Sequence, residues 1–213
     1  MKLFSVMRFI KIKIFLFCLF IHFIITSCAT YHSQFGKDSE KNTLTNDKDT
    51  TKIAHRFFLI GDAGNADQEN AQKILSSLQE QLRESDKNAS LLFLGDNIYP
   101  KGMPDKKETK TYDIALEKLT DQLAISKGFK GKTIFIPGNH DWYSGISGLK
   151  RQEKIVNTYL NDKKAFLPSD GCPIDDKKIN DQLCLVTIDS QWFLEDWDKT
   201  PNMNDDCTIK TRE

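Results

Sequence analysis

Three short apolar runs, each closing on glycine and then on a side chain able to bind a metal or move a proton, constrain this chain more than any other feature. Phe57-Phe58-Leu59-Ile60 ends in Gly61-Asp62. Leu91-Leu92-Phe93-Leu94 ends in Gly95-Asp96-Asn97, and Thr133-Ile134-Phe135-Ile136 ends in Pro137-Gly138-Asn139-His140-Asp141. Runs of this length and composition read as strands buried on both faces. Between them, Ala71, Ile74, Leu75, Leu78 and Leu82 recur at helical spacing, as do Tyr112, Leu116, Leu119 and Leu123, and a further helix is expected near Arg151 to Leu160. After a looped region, Leu183-Cys184-Leu185-Val186-Thr187-Ile188 reads as another buried strand, ending in Asp189. The alternation predicts an α/β fold with a mostly parallel sheet and helices on both faces.

Ligands gather outside the carboxyl ends of strands in such sheets. If the first three strands are parallel neighbours, Asp62, Asp96, Tyr99, Asn139 and His140 share one crevice, with the glycines giving the backbone its sharp turns. Carboxylate, amide oxygen and phenolate are hard donors that suit Mn, Fe or Zn. A carboxylate can bridge two cations about 3.5–4 Å apart, the spacing used in two-metal hydrolysis. Taken singly, each residue has a plainer reading. Asp62 would be a cap or turn residue, Asn139-His140-Asp141 turn chemistry with a solvated imidazole, and Tyr99 a packing aromatic. Their recurrence at three successive strand ends favours a site.

At Gly61-Asp62-Ala63-Gly64, Gly95-Asp96-Asn97-Ile98-Tyr99 and Gly138-Asn139-His140-Asp141 the chain resembles the calcineurin-like metallophosphoesterases, and within them the purple acid phosphatase branch. Most of that family carries Asp-x-His in the first block; here Gly64 stands at the histidine position, as in the purple acid branch, and Tyr99 follows Asp96 by three residues. The resemblance spans Phe57 to Trp142, and Ile188-Asp189-Ser190 looks like the family's next core strand. It implies metal-dependent hydrolysis of phosphate esters at a dinuclear centre, Fe with Fe, Zn or Mn, with a metal-bound hydroxide as nucleophile. Asp62 and Tyr99 would hold the first metal, Tyr99 as a phenolate suited to trivalent iron. Asp96 would bridge, Asn139 would hold the second metal, and His140 would stabilise the transition state or protonate the leaving oxygen. Asp141 would orient its loop, and Asp189 would be structural. The complete family folds as a four-layer sandwich and adds a lone histidine and then Gly-His-x-His. Neither block occurs here, since the histidines are His22, His32, His55 and His140. The resemblance therefore implies the N-terminal portion of such a domain, incomplete at its C-terminus. The alternative is a non-catalytic, degenerate surface binding or assembly module of the same fold.

The beginning of the chain bears on where it works. A basic stretch ends at Lys13, an apolar run covers Ile14 to Ile25, and Thr26-Ser27 precede Cys28. Twelve helical residues rise about 18 Å, short of a bilayer core of about 30 Å. Residues 1–28 therefore read as an export signal. Cys28 resembles the lipidated cysteine of a bacterial lipoprotein at the cell membrane or outer membrane; an ordinary signal with an incidental cysteine, or an uncleaved anchor, would read similarly. Residues 29–52 are polar and read as a flexible tether, leaving 53–213 for the domain. The chain is 39% hydrophobic and carries thirty basic and thirty acidic residues. A balance without a basic stripe argues against nucleic acid as partner, and so against a nuclease using the same chemistry. Export permits disulfides. Cys184 sits within the expected buried strand as a core thiol, and Cys172 with Cys207, in polar surroundings, is the better of three possible pairs.

Overall fold

The apolar runs form the strands they predict. A computed structural model describes residues 53–194 and 207–210; the expected signal, Cys28 and the tether lie outside the described residues. Strand β1 (Arg56–Ile60) leads through helix α1 (Glu69–Glu84) to β2 (Ala89–Leu94), and α2 (Thr109–Ala124) leads to β3 (Lys132–Ile136). The three strands are parallel, in the order β1-β2-β3. The short α3 (Asn139–Trp142) and the long α4 (Gly145–Leu160) follow, then a hairpin of β4 (Ile174–Lys178) and β5 (Cys184–Ile188). Asn161 ends α4 in a left-handed conformation (φ 49), which asparagine tolerates better than most residues.

Register decides which side chains share a face. Phe58 lies beside Leu91, Ile60 beside Phe93, and Phe93 beside Phe135, whose rings stack at 4.1 Å. These residues form one core with Leu75 and Leu82 of α1, Leu119 and Leu123 of α2, and Leu149 and Val156 of α4. Each such side chain, fully buried, contributes about 1.5–3 kcal/mol against exposure. The opposite face is covered differently. Leu92 and Ile134 pack with Leu167, Ile179, Leu183 and Leu185, from the hairpin and the segment leading to it. That segment extends the sheet by a short parallel bridge, Phe135 N–H donating to the Ala165 carbonyl and Leu167 N–H to that of Phe135.

The α/β class and parallel sheet stand, with four differences in detail. Among the described residues the buried side chains of the three long helices join the core on one face, while the other face takes the β4–β5 hairpin where a second layer of helices was expected. β5 pairs antiparallel with β4 and lies outside the parallel sheet. Its burial alternates, Thr187 in and Val186 and Ile188 out, because a hairpin strand packs on one face only. Cys184 is accordingly an exposed free thiol, not a core one. Lastly, Phe57 and Leu59 of the edge strand β1, expected to be buried, are 39% and 61% exposed. They lie on the face that the hairpin covers only beside β2 and β3.

Candidate metal centre

Parallel register brings the three strand ends to one edge, and the loops there interlock through backbone. Asp62 N–H donates to the Gly95 carbonyl, and Tyr99 N–H to that of Gly64. Asp62 and Asp96 both take the left-handed conformation, φ 56 and 54, which points their carboxylates out of the strand direction. Aspartate is among the few non-glycine residues that visit this region readily. At Gly138 there is no room for a side chain: a Cβ would stand 2.3 Å from Asp96 Oδ1 and 2.4 Å from its amide nitrogen. The loop after β3 is thus pressed against Asp96.

Tyr99 closes the group. Its hydroxyl lies 2.8 Å from Asp62 Oδ1 and 2.9 Å from Asp96 Oδ2. A phenol has one proton to donate, so one of these short O···O contacts needs a second proton or a cation between the oxygens. Desolvation, then the hydrogen bonds and negative charge of the two carboxylates, push the phenol well above its ordinary pKa. A bound cation would reverse that preference, since it stabilises the phenolate. The three oxygens therefore fit a hard cation. Among the described residues no three of His, Cys, Asp and Glu gather as a metal group; this cluster has two carboxylates and completes itself with the phenol.

Asn139 lines the same cleft, about 520 Å³, as Asp62 and Asp96. Its Nδ2 donates to the Tyr143 hydroxyl at 2.7 Å, which leaves the amide oxygen as the donor for a metal. His140 is anchored twice: its backbone N–H donates to Asp96 Oδ1 at 3.1 Å, and its Nδ1 lies 2.7 Å from the Pro100 carbonyl. A carbonyl only accepts, so Nδ1 carries a proton and Nε2 is left for a substrate. The ring sits edge-on to Tyr99 with centroids 4.5 Å apart. All five expected site residues thus belong to one rim.

Behind the rim, Asp141 is fully buried and accepts from Gly138 N–H at 2.8 Å and from the backbone and side-chain amides of Asn97 at 3.1 and 3.2 Å. Burial raises its pKa to about 6, against the lowering effect of those backbone N–H groups. It holds the loops after β2 and β3 together, in keeping with an orienting residue. Asp189 is buried and accepts from Trp142 Nε1 at 2.7 Å, a structural bond. Cys172 and Cys207 are joined by a disulfide with Cα atoms 5.4 Å apart.

Sequence reasoning missed Lys118. This nearly buried lysine of α2 places Nζ 3.0 Å from Asn65 Oδ1 and 3.1 Å from the Tyr99 carbonyl, tying together the loops that carry Asp62 and Tyr99. The available signal was its place on the buried stripe of α2, with Ala115, Leu119 and Gln122, where a lysine is rare unless paired.

The family model for the calcineurin-like phosphoesterases matches residues 55–212, most of the chain and all of the rim just described. No curated protein and no solved structure matches it.

Proposed function

This chain belongs to the calcineurin-like phosphoesterase family, and from that premise we propose that it is a phosphatase of the purple acid phosphatase-like branch, built around a dinuclear metal site. The family acts by metal-dependent hydrolysis of phosphate esters, with hard cations as cofactors. The observation that carries the finer reading is that Asp62 and Asp96, at adjacent strand ends, each bring an oxygen within 2.9 Å of the Tyr99 hydroxyl. Gly64 supports the branch: a Cβ there would lie 2.5–2.9 Å from backbone atoms of Asp96, Ile98 and Tyr99. A histidine at that position is incompatible with this loop, and Tyr99 is the additional ligand beside it.

Asp62 and Tyr99 would hold one metal and Asn139 the other, with Asp96 shared. When bound, the metals supply Lewis acidity and an activated water. The protein's own residues orient the ester and handle protons. His140, held through Nδ1 by the Pro100 carbonyl, presents Nε2 to the leaving oxygen; as an imidazolium, with a proton on each ring nitrogen, it gives up the Nε2 proton to that oxygen as the ester bond breaks and keeps the one on Nδ1. Export and lipid anchoring through Cys28, at a bacterial cell membrane or outer membrane, complete the reading and rest on the sequence alone.

The test is a titration of the full chain with ferric iron and then zinc or manganese, followed by absorbance and phosphate release. A phenolate-to-iron charge-transfer band should appear in the visible and vanish in Tyr99→Phe. Asp96→Asn should lose both the band and turnover; an Asp96→Asn protein that keeps wild-type turnover sinks the assignment. The competing reading is a non-catalytic surface module, and phosphate release by the metal-loaded chain overturns it.

A further inference from the structure

Beside the metal cleft lies a second cleft of about 430 Å³, between the loop from Tyr99 to Pro104 and the first turns of α2. The two differ in chemistry. Asp62, Asp96, Asn139, Ser190 and Gln191 give the first a polar lining suited to a phosphoryl group. The second is lined mainly by Tyr99, Pro100, Pro104, Ile114 and Ala115, with the exposed Lys101 and Glu108 also on its border. Its one buried cation, Lys118, has Nζ committed to Asn65 and the Tyr99 carbonyl, so it offers the cleft its alkyl stem and no free charge. Size and lining match the usual small-molecule pocket: a few hundred Å³, mostly apolar, with few polar groups.

Tyr99 lies between the two. Its hydroxyl meets the carboxylates, and the residue also lines the apolar cleft. His140 rests against that ring and is bonded to Pro100, another wall residue, while Ser144, also in the lining, donates to the Lys101 carbonyl at 2.6 Å. An oxygen within reach of His140 is the leaving oxygen of the ester. The carbon attached to it is then near Tyr99 and Pro100, which line the apolar cleft.

We propose that this cleft is the leaving-group subsite: it takes the alkyl or aryl group of a phosphate monoester whose phosphoryl group sits at Asp62, Asp96 and Asn139. The assignment rests on the phosphatase reading above, and the experiment separates the two. Hexyl phosphate and methyl phosphate leave as alcohols of similar basicity, so the ratio of their kcat/KM values reports on binding of the chain and cancels intrinsic reactivity. Measured on the full, metal-loaded chain, the ratio should favour the hexyl ester. Thr111→Trp, which fills the cleft from its exposed rim, and Ile114→Gln, which makes its wall polar, should each lower the ratio by about tenfold, the scale set by a few methylenes in an apolar pocket. Hexanol alone, added to the same protein, should shift the methyl NMR signals of Ile114 and Ala115.

Hydrolysis with one unchanged ratio in wild type and both variants overturns the subsite and leaves the phosphatase reading intact. Hydrolysis of neither ester, even with hexanol shifting those methyls, overturns the phosphatase reading and the leaving-group assignment with it. A ratio that falls in both variants, together with the methyl shifts, establishes the subsite.

Discussion

The single proton of Tyr99, placed between two carboxylates, states in one side chain what this rim requires. A phenol 2.8 and 2.9 Å from two acidic oxygens is a poor arrangement in water and a good one around a cation. His140 shows the complementary design: the Pro100 carbonyl fixes its ring at Nδ1 and Asp96 Oδ1 accepts from its backbone N–H, so Nε2 is left to the substrate. Replacing His140 with alanine removes the proton donor and leaves the four ligand side chains in place. We expect kcat to fall by about 10²–10⁴-fold, the usual worth of a positioned general acid, with metal content by elemental analysis unchanged. The loss should be smallest for esters of strongly acidic phenols, which depart without a proton. An equal loss for phenyl and alkyl esters would rule His140 out as the acid. These side chains were legible because each follows glycine at the end of an apolar run. Tyr99 became legible as a ligand only through the resemblance, since a lone tyrosine before proline reads as packing.

Strands and their loops were legible where burial dictates composition and illegible where hydrogen bonding does. The parallel strands announce themselves because β2 is apolar on both faces, and α1 and α2 because their buried residues keep helical period. β4 carries Ile-Asp-Asp-Lys-Lys and resembles a loop. It is a strand because it pairs with β5 and because its charges are used: Asp175 accepts from Ser169 and Lys164, and Lys177 donates to Asp162 at 2.6 Å. No hydrophobic period could have disclosed that. The loops of the rim depend on a brace equally invisible in isolation. Asp141 satisfies Gly138 N–H at the edge of the cleft and two fully buried N–H groups of Asn97. Asp141→Ala strands these donors at about 1–3 kcal/mol each, so the loss of stability should be roughly 3 kcal/mol or more. Urea unfolding measures it. Metal affinity should fall as well, because the loops after β2 and β3 lose their tie; a variant that unfolds like wild type would show that other contacts hold the loops.

Over the molecule as a whole, the carboxylates impose opposite demands on either side of mildly acidic pH. Despite desolvation, which raises them, Asp162 and Asp175 are held below the ordinary carboxylate range, the first by Lys177 and the second by Lys164 and Ser169. Their contribution is present above the ordinary aspartate value and is lost as pH falls through the lowered ones. Glu153 behaves in the reverse sense. Burial in α4, facing the negative Asp170 and Asp175 with Lys150 and the Asp170 N–H in partial compensation, raises it from 4.5 to about 7. The folded chain therefore binds this proton more tightly than the unfolded one. The stability it confers is complete below 4.5 and declines as pH rises through about 7, and Asp141, raised to about 6, adds to the same slope. The urea midpoint of the metal-free protein should accordingly peak near the ordinary carboxylate range and fall between about pH 5 and 8. Glu153→Gln keeps an acceptor for Asp170 N–H and removes the titration, so its curve should be flatter over that interval and cross above wild type on the alkaline side. Parallel curves for the two proteins would mean that Glu153 is already ionised in the fold, and that the decline, if it persists, belongs to Asp141.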